Sequence, residues 1–209
     1  MDAKIKLLFA KLEQRNIRGI YCPDKAAAAQ KLLEMVPAAA TVGFSGSVTL
    51  DELGIIERLE QRGNPVFNQR RPGLSREENL ELRRQGAQAD YYLASANALS
   101  QNGELVFLSA YGNRTAGVAY AKNVIIVCGV NKLAPDLAQA LKRAREYATP
   151  LNCKRLNWEK APCFGGGVCR EGECLAPLYR RMCCQTLVIE SEAMPPRMSV
   201  VVVGESMGF

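Results

Sequence analysis

The 209-residue chain contains no histidine, and that absence removes more chemistry than any other feature of it. Without imidazole there is no Ser-His or Cys-His nucleophile pair, no histidine general base and no histidine ligand to a metal or haem. Most hydrolase mechanisms and most catalytic zinc centres are thereby excluded. Long hydrophobic runs are missing too: nothing approaches the ~18 apolar residues of a membrane span. Residues 1–9 carry neither a signal-peptide core nor a small-residue cleavage site, so the expected compartment is a reducing cytoplasm. Internal repeats and low-complexity tracts are also lacking.

What is present is equally pointed. Eight cysteines stand in a chain with a formal net charge of +6. In a reducing compartment such thiols are expected as ligands or buried groups rather than disulfides. The basic residues are spread out, with only pairs such as Arg70-Arg71, Arg83-Arg84 and Arg180-Arg181. That dispersal argues against nucleic acid, which needs a clustered patch, and suits a small anionic substrate or a mildly basic surface.

Periodicity predicts alternating helices and strands. Ile5, Leu8, Phe9 and Leu12 form a helical stripe, and residues 18–22 read as a strand. Asp24 can cap a second helix, with its stripe at Ala29, Leu32, Leu33 and Val36, ended by Pro37. Residues 41–45 form the next expected strand. Thr49 and Glu52 have capping-box spacing for one helix carrying Leu53, Ile56 and Leu59 and closing at Gly63. A strand at 65–67 follows, then a helix capped by Ser75 and Glu78 and running to about Gln85. Residues 91–95, 104–109 and 124–127 are strand-like, and Leu137, Ala140, Leu141 and Ala144 mark another helix. After Pro150 the chain becomes rich in cysteine, glycine and arginine, before strand-forming sequence resumes at 186–190 and 199–203. This order predicts one α/β domain over 1–209, an open, mostly parallel sheet with helices on both faces. A cysteine-rich insertion is expected at about 150–185.

Two loops suit a ligand. Ser45, Gly46, Ser47 and Thr49 join a strand to a helix start, where free N–H groups and hydroxyls could hold a carboxylate or phosphate. The same hydroxyls would equally serve a plain capping turn. Asn102-Gly103 marks a tight turn, and the strand after it leads to Gly112-Asn113-Arg114, placing an arginine fork at a strand end. Asn97 and Asn113 could reach a substrate oxygen. Glu104 is the carboxylate best placed for acid or base catalysis in a chain without histidine. Taken singly, each of these also reads as an ordinary turn, strand-start or surface residue.

Six cysteines lie between Cys153 and Cys184, the tight part being Cys163-x5-Cys169-x4-Cys174-x8-Cys183-Cys184 around Gly165, Gly166 and Gly167. Four thiolates without histidine suit a tetrahedral zinc or an iron–sulfur cluster. Free buried thiols or a redox disulfide are the other reading. Neighbouring cysteines seldom bind one ion together, which makes Cys184 the weaker ligand. Cys22 and Cys128 lie in strand-like runs and read as small core residues.

The stretch from Gly46 to Gly54, the run from Asn97 to Val106, Gly112-Asn113-Arg114, residues 124–133 and residues 200–209 together resemble the lactate-utilisation (LUD) domain family. The resemblance spans nearly the whole chain in order. It implies a fold similar to that of ribose-phosphate isomerases and coenzyme A transferases, and a link to bacterial lactate oxidation, where relatives work beside iron–sulfur subunits. It also implies a small hydroxy-acid substrate and protein partners of a lactate-oxidising system. Many relatives carry Cys-x5-Cys-x2-Cys-x6-Cys-Asn. Cys163, Cys169, Cys174 and Cys183 follow that order, which implies an iron–sulfur cluster of the four-iron type, with zinc as the alternative. Two gaps are longer here, Cys184 replaces the asparagine, and Cys153 is an extra thiol.

Overall fold

The computed structural model describes residues 2–166, 169 and 173–209. Capping and apolar periodicity set the first elements. Asp2 caps α1 (Ala3–Gln14), which buries Ile5, Leu8 and Leu12, and β1 (Arg18–Cys22) follows. Asp24 accepts from the N–H of Ala27 to start α2 (Lys25–Met35), and β2 is Val42–Phe44. The single helix expected from Thr49 is two short ones, α3 (Val48–Leu53) and α4 (Ile55–Gln61). Ser47, not Thr49, is the cap, and Gly54 between the two helices has φ +57°, a left-handed conformation that breaks the hydrogen-bond ladder. The expected strand at 65–67 contributes only a single bridge from Val66 to Val42.

The capping box of Ser75 and Glu78 opens α5 (Arg76–Ala87), followed by β3 (Tyr91–Ala94), β4 (Ala98–Ser100) and β5 (Leu105–Ser109). Beyond β5 lies α6 (Asn113–Tyr120), then β6 (Asn123–Gly129), a 3-10 turn at Val130–Lys132 and β7 (Leu133–Ala134). Pro150 does not end helical structure. It falls at the start of α8 (Thr149–Arg155), which continues from α7 (Leu137–Arg143) through a π-helical turn at Ala144–Ala148. The N–H of Thr149 bonds back five residues to the Ala144 carbonyl, so the wide turn carries the helix up to the proline. The cysteine-rich segment holds the single turn α9 (Cys163–Gly166), and β8 (Gln185–Ile189) and β9 (Met198–Val203) complete the chain's strands among the described residues. Gly167 lies outside the described residues.

Five strands form an entirely parallel sheet in the order β1-β9-β6-β3-β2. The valine run Val200-Val201-Val202-Val203 sits near its centre because both its faces are covered. Val201 and Val203 pack with Leu32, Leu50 and Leu59 of α2, α3 and α4. Val200 and Val202 pack on the other face with Leu8 and Leu12 of α1. Leu99, Leu105 and Phe107 of a second sheet, ordered β7-β4-β5-β8, join that face, and α7 covers the second sheet's far side. Cys22 and Cys128 are core residues on opposite faces of the parallel sheet, as their strand positions suggest. No helix among the described residues is long and apolar enough to cross a membrane.

Candidate functional site

The carboxyl ends of parallel strands leave a crevice where their following loops diverge. Here the loops after β2 and β3 meet the end of β5, the start of α6 and one face of α8. They enclose a cavity of about 290 Å³ lined by Ser45, Gly46, Asn97, Asn113 and Arg114 of the expected ligand loops. Ser47 and Thr49 lie deeper, on a recess of about 30 Å³ that shares Gly46, Asn97, Arg114 and Asn152 with the main cavity. The two loops read as ligand loops therefore border one cavity.

Their roles differ from the expectation. Arg114 projects from the first turn of α6 and is largely committed to the protein itself. Its Nη2 donates to the Gly46 carbonyl at 2.7 Å, and its Nη1 to the Leu108 carbonyl at 3.0 Å and to Asn97 Oδ1 at 3.1 Å. Its Nε reaches Ser45 Oγ at 3.4 Å. Asn97 is a brace as well, since its Oδ1 also accepts from the N–H of Leu108 at 2.9 Å. Ser47 Oγ accepts from the N–H of Leu50, and Asn113 lends its carbonyl to the Tyr92 hydroxyl at 3.0 Å. The burial that surrounds Arg114 pulls its pKa down from the ordinary value, and among the described residues no carboxylate shares the cavity wall with it.

Glu104 is not in the crevice. It precedes β5 at the end opposite Arg114, where its Oε1 pairs with Arg15 Nη2 at 2.5 Å and its Oε2 accepts from Ser100 Oγ. The tight Asn102-Gly103 turn that made it conspicuous in sequence also points it at α1, away from the ligand loops. Its task there is to tie α1 to the β4–β5 hairpin.

The cavity gains groups that the motifs did not reveal. Arg70, Arg83 and Arg155 join Arg114 in the wall, which contains no Asp or Glu among the described residues. Arg83 Nε donates to Asn79 Oδ1 at 2.8 Å and its guanidinium lies over the Tyr111 ring, 5.4 Å from the centroid. Arg155 donates to Asn152 Oδ1 at 2.9 and 3.1 Å. Arg70 pairs with Asp51 outside the wall. Burial depresses the pKa of both Arg83 and Arg155, yet guanidinium stays charged at any ordinary pH. Trp158 and Tyr111 meet edge to face, 6.0 Å between centroids, and form the aromatic side of the cavity.

At the bottom of the recess lies Lys132, 3% exposed, whose Nζ donates to Thr49 Oγ1 and Ser95 Oγ, both at 2.8 Å. Burial foremost, with the charges of Arg143 and Arg114 adding to it, pulls its pKa down to about 8. The sequence did carry a signal, a lone lysine directly after the apolar run of β6, but no motif named it.

The cysteines gather on the other side of α8. Cys153 Sγ lies 3.6 Å from Cys163 Sγ and 3.7 Å from Met182 Sδ, in a small apolar cluster with Ala161. Met182 and Trp158 belong to this cluster and to the cavity wall alike. Burial raises the pKa of Cys174, and the nearby Cys183 and Cys163 thiols raise it further. Cys183 is buried, Cys169 half-buried and Cys184 exposed. Two sulfurs 3.6 Å apart suit one tetrahedral ion, whose ~2.3 Å Zn–S bonds set a similar spacing. Among the described residues, however, no group of three or more Cys, Asp or Glu side chains is disposed around one metal position.

A parallel α/β sheet with a cationic crevice at its carboxyl edge defines the class. Within it, the chain belongs to the LUD domain family, whose model matches residues 5–203, and this membership relates it to lactate utilisation. A solved DUF162 family protein from Deinococcus radiodurans has a similar fold, with a TM-score of 0.55 and 11% identity over 96% of each chain. Ribose 5-phosphate isomerase from Plasmodium falciparum gives a TM-score of 0.35 and 18% identity over 53% of this chain and 52% of that one. A search of the curated proteins finds no match.

Proposed function

We propose that this LUD-domain protein binds a small anionic metabolite of the hydroxy-acid class, as a subunit or accessory protein of lactate utilisation. One observation carries the reading: among the described residues, four arginines and no carboxylate line a single cavity at the sheet's carboxyl edge. Such a wall concentrates anions and offers planar forks to carboxylates or phosphates. Arg83 and Arg155 are its ligand-facing donors, because Arg114 is spent on the loops. Trp158, the chain's single tryptophan, lines the cavity and reports on it. Titrating lactate, pyruvate and inorganic phosphate against Trp158 fluorescence tests the proposal. Saturable quenching supports it, and no response to any of the three overturns it.

The cavity volume favours a second reading of the substrate. About 290 Å³ is close to the lower end of ordinary ligand pockets, ~300–1,000 Å³, and exceeds what lactate fills. A sugar phosphate or an acyl compound would use more of it and more of the arginines. Ribose 5-phosphate in the same titration separates this enzyme-type reading from the first.

The thiols support a metal site on donor chemistry. Cys163, Cys169, Cys174 and Cys183 would hold an iron–sulfur cluster or a zinc ion, with Cys153 beside them. A cluster would supply one-electron transfer at the cavity's far wall, whereas zinc would staple the loop. Iron, sulfide and zinc analysis of anaerobically isolated protein decides between them, and protein free of all three sinks the site.

A further inference from the structure

The recess beyond Arg114 ends in an amine that the crevice reading leaves without a task. Lys132 Nζ has two neutral partners, the hydroxyls of Thr49 and Ser95, which are themselves 3.2 Å apart. No carboxylate among the described residues pairs with it. Glu52, whose charge acts on it, is held by Lys25 Nζ at 2.8 Å and by the N–H of Gly208 at 3.0 Å. Burying an ammonium group without a counter-ion is expensive. The fold nevertheless closes tightly around it: Gly208 passes with φ +54°, and a Cβ there would lie 2.6 Å from Thr49 Oγ1 and 3.4 Å from Lys132 Nζ. Arg143 and Arg114 repel its charge, the Cys128 thiol and Glu52 favour it, and burial outweighs them all. Desolvation beside other cations is how a lysine is kept as a nucleophilic amine instead of a fixed charge.

The space fits a reacting group rather than a whole ligand. The recess of about 30 Å³ exceeds the ~10–15 Å³ that one water molecule needs, enough for a carbonyl. The rest of the ligand would lie in the main cavity, because Gly46, Asn97, Arg114 and Asn152 border both spaces.

We propose, building on the anion-crevice reading, that Lys132 forms an imine with a small anionic aldehyde or ketone whose charged end rests on the cavity arginines. The neutral amine's lone pair adds to the carbonyl carbon, and the C=O π electrons move to oxygen. That oxygen collects two protons, the pair lost from nitrogen, with the Thr49 and Ser95 hydroxyls as relays, and leaves as water. The C=N bond replaces the C=O bond, and no oxidant or reductant is consumed. An imine at this position acidifies the adjacent C–H bonds of the ligand, so the chemistry it prepares is proton transfer next to a former carbonyl.

The probe is glyoxylate, an aldehyde carrying one carboxylate, with cyanoborohydride to reduce any imine to a stable carboxymethyl-lysine. Peptide mapping of the wild-type chain near neutral pH should find Lys132 modified first. A pKa of about 8 leaves on the order of a hundredfold more neutral amine than an ordinary lysine has. The modification rate should saturate with glyoxylate, fall when phosphate competes, and rise as pH passes through about 8. Lys132→Met should remove this labelling and leave that of the surface lysines. Trp158 quenching by glyoxylate, measured in parallel, separates the two layers of the argument. Quenching with Lys132 unmodified, or modified no faster than surface lysines, overturns the amine proposal and leaves the crevice. Fast Lys132 labelling without saturation or quenching supports the amine and overturns the crevice reading.

Discussion

Arg114 Nη1 and Asn97 Oδ1 are joined by a 3.1 Å hydrogen bond that links the start of α6 to the loop after β3. The same guanidinium holds the Gly46 and Leu108 carbonyls, so one side chain fastens three segments of the crevice. Arg114→Lys keeps the charge but cannot span these acceptors. It should cost about 2–4 kcal/mol, the worth of two or so charged hydrogen bonds, in urea unfolding. Unchanged stability with lost anion binding would instead make Arg114 a ligand contact.

Among the described residues, Arg155 donates its side-chain hydrogen bonds to Asn152. Arg155→Gln should weaken anion binding by about tenfold, roughly 1.4 kcal/mol. Its effect on stability should stay within about 0.5 kcal/mol. Calorimetric titration with phosphate checks the first figure and thermal unfolding the second. An unaltered affinity would take Arg155 out of the binding face.

Glu104→Gln tests the separation of the two ends of β5. Replacing a partly buried, ion-paired carboxylate should cost about 1–2 kcal/mol, because Arg15 and Ser100 lose a charged acceptor. Anion affinity at the crevice should not change. A variant of normal stability that no longer binds or turns over ligand would return Glu104 to the chemistry.

Lys132 gives the folded chain a distinctive pH response. Its folded pKa of about 8 lies below the ~10.4 of an unfolded lysine. Between those values the unfolded chain binds more protons, so this group makes stability rise with pH. Below pH 8 its cost is fully present. The raised thiol pKa values of Cys128 and Cys22 work in the opposite sense at alkaline pH, and because Lys132 acts on Cys128, Lys132→Met is compared with its parent in a Cys128→Ala background. The stability advantage of Lys132→Met should therefore shrink by about 3 kcal/mol from pH 8 to above 10. A pH-independent difference would mean that Lys132 is not depressed.

Alkylation should order the thiols by exposure and thiolate character. Exposed Cys184 should react first, and buried Cys22, Cys128 and Cys153 last, as timed by peptide mass spectrometry with iodoacetamide. Iron or zinc bound by the loop should protect Cys163, Cys174 and Cys183 while leaving Cys184 reactive. Uniform protection, or none, would detach the metal from the loop.

Much of the fold was legible because its signals are local. Asp24 and Ser75 announce their helices through cap positions, and Val200 to Val203 reads as a doubly covered strand. Thr49 misled for a related reason. Its spacing to Glu52 mimics a capping box, but Ser47 takes that role and Thr49 is free to meet Lys132. The segments after Gly112 and Thr149 were missed as helices because glycine and proline at their starts look like loop signals.

The amino-acid sequence by itself determined the exclusion of imidazole chemistry, the alternation of most helices and strands, and the loops that border the cavity. Composition, caps and periodicity act over a few residues, so neighbours in the chain suffice to read them. Tertiary structure alone decided which charges share a cavity. Thr49 and Lys132 are 83 residues apart and meet at 2.8 Å, while Glu104 and Arg114, neighbours by comparison, are held at opposite ends of β5. Strand order sets those distances, and burial sets what each charge costs. Only the folded sheet brings four guanidiniums and one desolvated amine to the same edge.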